Sequence, residues 1–124
     1  MKFTFGSDPE FPIITTNGKF KSAVGVLPSK KKAKKTKSPF YFDNVMAEAQ
    51  MKPATTKIEL LINAKEMLDT LAEAVYPYKI LLQSAVNYPK SELKTKEALE
   101  AGCVPEINVY TLKQMPLPNG VALN

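Results

Sequence analysis

Three features of the sequence predict an α+β fold, with an antiparallel or mixed sheet and two helices. Extended, alternating patterns fill the first half, and one long amphipathic pattern with its own start signal follows. No regular strand–helix–strand repeat appears anywhere in the 124 residues. A chain of this length makes one domain around one core, here expected over residues 1–114, with 115–124 as a C-terminal tail.

Residues 2–7 alternate, with Phe3 and Phe5 on one side, as in a half-buried strand. Pro9 interrupts, and Phe11, Ile13 and Ile14 resume an extended run. Asn17-Gly18 is a type I′ hairpin signal, so residues 20–27 are read as the returning strand. Six lysines then fall within eight positions, Lys30, Lys31, Lys32, Lys34, Lys35 and Lys37. Like charges at this density repel, which predicts a mobile surface loop over 28–38.

Residues 39–51 read as one or two strands, with Met46, Glu48 and Gln50 on one face and Val45, Ala47 and Ala49 on the other. Pro53 closes them. Thr56 and Glu59 form a capping box, in which hydroxyl and carboxylate each satisfy a free amide at a helix start. Beyond it Ile58, Leu61, Ile62, Leu68, Leu71, Ala72 and Val75 fall on one stripe, predicting a helix from about 56 to 75. Pro77 ends it, and residues 78–86 read as a buried strand. A short helix follows Pro89 and stops at Gly102; residues 104–112 read as strand again.

Composition excludes much chemistry. All 17 basic residues are lysine, and the chain has no arginine, histidine or tryptophan. Serine or cysteine nucleophiles activated by histidine, histidine metal sites and guanidinium clamps on phosphate are therefore ruled out within these residues. The single cysteine, Cys103, is read as a small buried residue, and one cysteine without a partner points to a reducing compartment. No stretch reaches the roughly 18 apolar residues of a membrane-spanning helix, and the acidic start argues against a signal peptide. The net charge of +5 is local, because residues 1–62 hold 11 lysines and 5 acids whereas 63–124 hold 6 lysines and 7 acids.

Three short patterns set an acid beside a polar partner on an extended segment: Asp8-Pro9-Glu10, Glu48-Ala49-Gln50 and Glu106-Ile107-Asn108. On a strand, residues i and i+2 point the same way, so each pattern puts two oxygen-bearing groups on one face. Three such strands would converge carboxylates into the oxygen-rich surroundings that Mg²⁺ prefers. The commoner fate of such glutamates is the solvated face of an antiparallel sheet, and both readings stand on the pattern. The lysine run likewise has two readings, phosphate or nucleic-acid binding and a solvated loop with weak, non-specific affinity for anions. No arginine is present to read bases and no aromatic lies between Lys30 and Lys37, which favours the second.

Residues 5–11, Phe-Gly-Ser-Asp-Pro-Glu-Phe, resemble the G-x-D-P-E-F opening of the phage-encoded carboxylate–amine ligases (amidoligases, type 2), relatives of glutamine synthetase and glutamate–cysteine ligase. The resemblance continues through Asp43-Asn44-Val45 with Ala47-Glu48 and ends in Gly102-Cys103, Pro105-Glu106, Asn108 and Tyr110-Thr111. It implies the N-terminal half of a glutamine-synthetase-like domain, using ATP and Mg²⁺ to activate a carboxylate as an acyl phosphate for attack by an amine. By resemblance Glu10, Glu48 and Glu106 match metal-binding acids. Asp8, Gln50 and Asn108 would support or line the site, and no residue is assigned as catalytic.

The family's pattern goes on to an arginine and a Gly-Gly-His-x-His motif, and this sequence has neither residue type. The resemblance therefore implies a half-site, inactive alone or needing a partner chain, in a fragment, a split-gene product or a shortened relative, with a second polypeptide or a homo-oligomer expected to complete the sheet. The alternative is a non-enzymatic structural or interaction protein of the virion that reuses the fold. Host cytoplasm or the virion are the corresponding locations, with no membrane partner expected.

Overall fold

Pro12 divides one extended segment into two short strands that belong to different sheets. The computed structural model describes residues 2–83, 85–99, 107–108 and 113–114, and its architecture is α+β. In chain order the elements are β1 (Glu10–Phe11), β2 (Ile13–Ile14), β3 (Phe20–Lys21), α1 (Lys30–Thr36), β4 (Phe40–Asp43), β5 (Met46–Ala49) and α2 (Lys57–Ala74). There follow β6 (Lys79–Ile80), a 3-10 turn at Lys90–Glu92, α3 (Lys96–Leu99), β7 (Ile107–Asn108) and β8 (Lys113–Gln114). β1, β5 and β4 form one antiparallel sheet in that order, β3, β2 and β6 form a second, and β7 pairs with β8.

Proline has no amide hydrogen to give a ladder, so Pro12 is a natural place to change partners. Its carbonyl is still used, accepting from the Leu81 amide at 2.9 Å. Glu10 and Phe11 pair with Glu48 and Ala47, while Ile13 sits between Lys21 and Ile80. The core follows from this exchange. Phe11, Phe40, Ala47 and Ala49 present their side chains to Met67, Leu71 and Val75 of α2, and Ile13 joins the same cluster. A second cluster gathers Val45, Met46, Val86, Tyr88 and Ala98.

The β2–β3 hairpin occurs where the sequence predicts it, with a different turn. The Gly18 amide donates to the Thr15 carbonyl at 2.9 Å, and the left-handed conformation falls on Gly18 (φ 81°) and not on Asn17. This is a type I turn closed by a glycine bulge; a type I′ turn needs positive φ at both central residues. The returning strand is shorter than the expected 20–27. After Lys21 the Ser22 amide turns to the Glu92 carboxylate (2.9 Å), the Ala23 amide goes to Val45, and Gly25 (φ 82°) bends the chain away. Residues 2–7 form no continuous strand either. Phe5 exchanges two 2.7 Å backbone bonds with Ala54, and the side chains of Phe3 and Phe5 stay exposed.

The largest correction concerns residues 28–38, expected as a mobile loop. Residues 30–36 are the helix α1. Three local causes offset the lysine repulsion. The Ser29 hydroxyl caps the start by accepting from the Lys32 amide, and Lys37 closes the end in the left-handed conformation (φ 56°), its amide donating to the Ala33 carbonyl. The third is Ala33, which is buried, so the helix has an apolar foothold on the protein. Lysine is itself a good helix former once its charge is spread around a cylinder.

Helix α2 matches the expected span and start: the Thr56 hydroxyl accepts from the Glu59 amide at 3.1 Å, and the Glu59 carboxylate takes the Thr55 amide at 2.7 Å. The bonds it accepts from the Thr55 amide and hydroxyl hold the Glu59 carboxyl below its ordinary range. The covered face is not the whole predicted stripe: Leu60, Asn63, Ala64, Met67, Leu68, Leu71 and Val75 are buried or half-buried, and Ala72 is exposed. Leu71 and Val75 are fully enclosed, whereas Ile58, Leu61 and Ile62 are 72, 61 and 60% exposed. Residues 78–86 do not form the expected buried strand: among the described residues only Lys79–Ile80 is strand, and Leu82 is exposed. The helix expected after Pro89 is two pieces, because the Thr95 hydroxyl accepts from the Ala98 amide at 3.1 Å and restarts it as α3. Of the strand expected over 104–112, residues 107–108 are strand; Gly102, Cys103 and the tail 115–124 lie outside the described residues.

A candidate carboxylate centre beside a lysine cleft

Glu10 and Glu48 stand directly opposite one another on β1 and β5, and Tyr41 faces Glu48 from β4. Side chains at i and i+2 share a face, so Tyr41, Asp43, Met46, Glu48 and Glu10 all project from one side of this sheet. The apolar alternates Phe11, Phe40, Phe42, Ala47 and Ala49 take the other side, where the α2 core lies. The polar side thus follows from the register that makes the core.

Asp43 closes the group. Carboxylate oxygens of Glu10, Asp43 and Glu48 all lie within 4.8 Å of one another. Glu48 is 6% exposed, the other two carboxylates are half-buried, and every buried side-chain polar atom among the described residues has a partner. For Glu48 that partner is the Tyr41 hydroxyl, which donates to Oε1 at 2.5 Å.

The two glutamates do not ionise freely in this setting. Burial pushes the Glu10 carboxyl up to about 7, and the charges of Asp43 and Glu48 add to the effect while Lys30 opposes it. Burial also raises Glu48, against the Tyr41 hydrogen bond and Lys30, which favour its charged form. Burial and the bond to Glu48 raise the Tyr41 hydroxyl, so it stays a donor at neutral pH. Lys30, whose ammonium lies 5.1 Å from the centre of the Tyr41 ring, is the cation that favours the charged form of both glutamates.

Lys30 belongs equally to a neighbouring concavity. A cleft of about 410 Å³ opens between α1 and the chain leaving β5, with Lys30, Lys34, Lys37, Lys52, Tyr41 and Gln50 among its lining residues. Tyr41 is the shared wall, with its ring toward the cleft lysine and its hydroxyl on Glu48.

The sequence-derived candidates are distributed unevenly over this geometry. Glu10 and Glu48 come together as their spacing allows, and Gln50 lies two residues further along the same face, at the cleft. Asp8 is outside the oxygen cluster and is felt by Tyr41 only as a charge. Glu106 lies outside the described residues, and Asn108 is described as a strand residue paired with Lys113. Asp43 was missed as a ligand candidate because neither residue two positions away, Tyr41 or Val45, is an acid or a carboxamide; its signal was the Asp-Asn turn that brings β4 back into β5.

The six lysines are sorted by α1. Lys30, Lys34 and Lys37 line the cleft, and Lys31, Lys32 and Lys35 do not. No described helix is long and apolar enough to cross a membrane. No protein-family model, curated protein or solved structure matches the chain.

Proposed function

We propose that this chain carries the divalent-cation half of a carboxylate–amine ligase site, with Glu10, Asp43 and Glu48 as ligands for Mg²⁺. The observation that carries the reading is the meeting of Glu10 and Glu48 across β1 and β5 with Asp43 alongside. Oxygen-only ligands suit Mg²⁺, which commonly binds one or two carboxylates and shares itself with substrate phosphates. The ion would supply Lewis acidity toward ATP and the carboxyl that ATP activates. Glu106 remains a proposed further ligand. These 124 residues hold no arginine or histidine, so any such groups in a working ligase site come from outside them and not from a second copy.

Titration of the chain with Mn²⁺, followed by electron paramagnetic resonance and competed with Mg²⁺, tests the centre. One site is expected, weakened at least tenfold in E48Q and in D43N. Equal affinity in wild type and both variants would overturn it. ATP-dependent coupling would then be sought with the candidate partner chain present.

A second reading has its own support. Ile58, Leu61 and Ile62 form an exposed apolar row at i, i+3 and i+4 on α2, which favours an interaction or virion structural protein. Under that reading L61K abolishes assembly while E48Q leaves it intact; the ligase reading expects the reverse sensitivity for metal binding.

A further inference from the structure

We propose that the cleft beside α1 binds a compact oligophosphate, held by Lys34, Lys37 and Lys52 and reaching toward the carboxylate centre past Lys30. The inference rests on the cation reading above only for the metal that would join the oligophosphate to the carboxylates; the lysine wall stands on its own geometry.

Four lysines from two segments converge on one concavity, and no acid is among its lining residues. Lys34 and Lys37 form no ion pair among the described residues, and the Lys52 partner, Glu66, meets it at 3.2 Å on the exposed side. Lys34 and Lys37 thus line the concavity with no ion-pair partner among the described residues, which leaves their charge to an anion seated there. Lysine binds phosphate as a point charge, so several lysines around one volume suit several phosphates in a short chain. The Gln50 carboxamide adds a neutral donor at the same wall. At about 410 Å³ the cleft has the size of a small-ligand pocket. A nucleic-acid backbone would instead follow a row of charge, and Lys31, Lys32 and Lys35 on the outer faces of α1 would serve it as well as the cleft lysines.

The test is calorimetric titration of the full chain with tripolyphosphate at low salt, with and without Mg²⁺. K34Q/K37N is compared with K31Q/K35Q, which removes the same charge from outside the cleft. Asparagine at position 37 tolerates the left-handed backbone there. Binding is expected in wild type, at least tenfold weaker in K34Q/K37N and within twofold of wild type in K31Q/K35Q. Equal weakening by both pairs, absence of binding, or duplex-DNA retention that falls equally in both would overturn the proposal. Mg²⁺ should tighten binding in wild type but not in E10Q/E48Q. Loss of that Mg²⁺ effect with the lysine contrast intact would overturn only the metal reading. An intact Mg²⁺ effect without the lysine contrast would overturn only this one.

Discussion

The Tyr41 hydroxyl donates to Glu48 Oε1 at 2.5 Å, across one rung of the β4–β5 ladder. That bond keeps a carboxylate that is almost wholly buried from being unsatisfied. Tyr41→Phe removes the donor and leaves the acceptor behind. A destabilisation of about 1–3 kcal/mol is expected, the usual cost of orphaning a buried polar group, together with a further rise of the Glu48 pKa. Denaturant unfolding at pH 8 measures the first. Carboxyl chemical shifts followed through the titration measure the second, and an unchanged Glu48 titration would show that the bond is idle.

Stability should fall as pH rises toward neutrality. The Glu10 carboxyl, ordinarily near 4.5, is raised to about 7, so the folded protein holds its proton more tightly than the unfolded chain does. Its contribution is fully present below about pH 4.5 and is lost as pH climbs through about 7. The loss is on the order of 2 kcal/mol for a half-buried group, and Glu48, also raised, acts in the same direction. Glu10→Gln should flatten the melting temperature between pH 5 and 8. A variant as pH-dependent as wild type would refute the assignment.

Binding of a divalent cation should release protons near neutral pH, since Glu10 is partly protonated there and a metal needs it ionised. Calorimetric heats measured in buffers of different ionisation enthalpy give the number released. The release should be smaller in Glu10→Gln, with Glu48 supplying what is left. Identical heats in every buffer would exclude Glu10 as a ligand.

Helix α1 depends on its cap. Ser29→Ala removes the acceptor of the Lys32 amide and should cost about 1 kcal/mol. The loss should be local, with faster hydrogen exchange within residues 30–36 and little change in α2. Tripolyphosphate affinity should fall with it, because the cleft lysines keep their spacing only while the helix stands.

Two leucines ten residues apart on α2 should behave as opposites. Leu71 is fully enclosed and Leu61 is 61% exposed. Leu71→Ala should cost about 2–5 kcal/mol, and Leu61→Ala no more than about 0.5 kcal/mol. Chemical denaturation of the two variants separates the stripe read from spacing from the face that is actually covered.

What spacing could reveal was the hairpin at Asn17-Gly18, the cap at Thr56 and the possibility that Glu10 and Glu48 share a face. It could not reveal that they are neighbours, because that depends on β1 pairing with β5 across 38 residues of sequence. Periodicity put Ile58, Leu61 and Leu71 on one stripe, but the covered face runs through Leu60, Ala64, Met67, Leu68 and Leu71, and Ile58, Leu61 and Ile62 lie outside it. The lysine run was misjudged for a related reason. Charge density argues for a solvated loop, yet one alanine at position 33, small enough to be enclosed, and a serine ahead of it outweigh six like charges. The absence of arginine led to the expectation that no phosphate-holding half was present. Folding α1 gives lysines from that run a concave arrangement that their order in the chain does not display.

Asn44 and Val45 are the whole connection between β4 and β5, since Asp43 is already paired with Met46. The carboxylate centre is therefore written as a count. One residue added at that corner would leave every acid in place in the sequence and send Glu48 to the side of the sheet occupied by Phe11 and Leu71. Composition would scarcely register the change, and no ligand would have been mutated. The instruction that gathers these three oxygens resides in the length of a two-residue corner, where selection on side-chain identity alone would not see it.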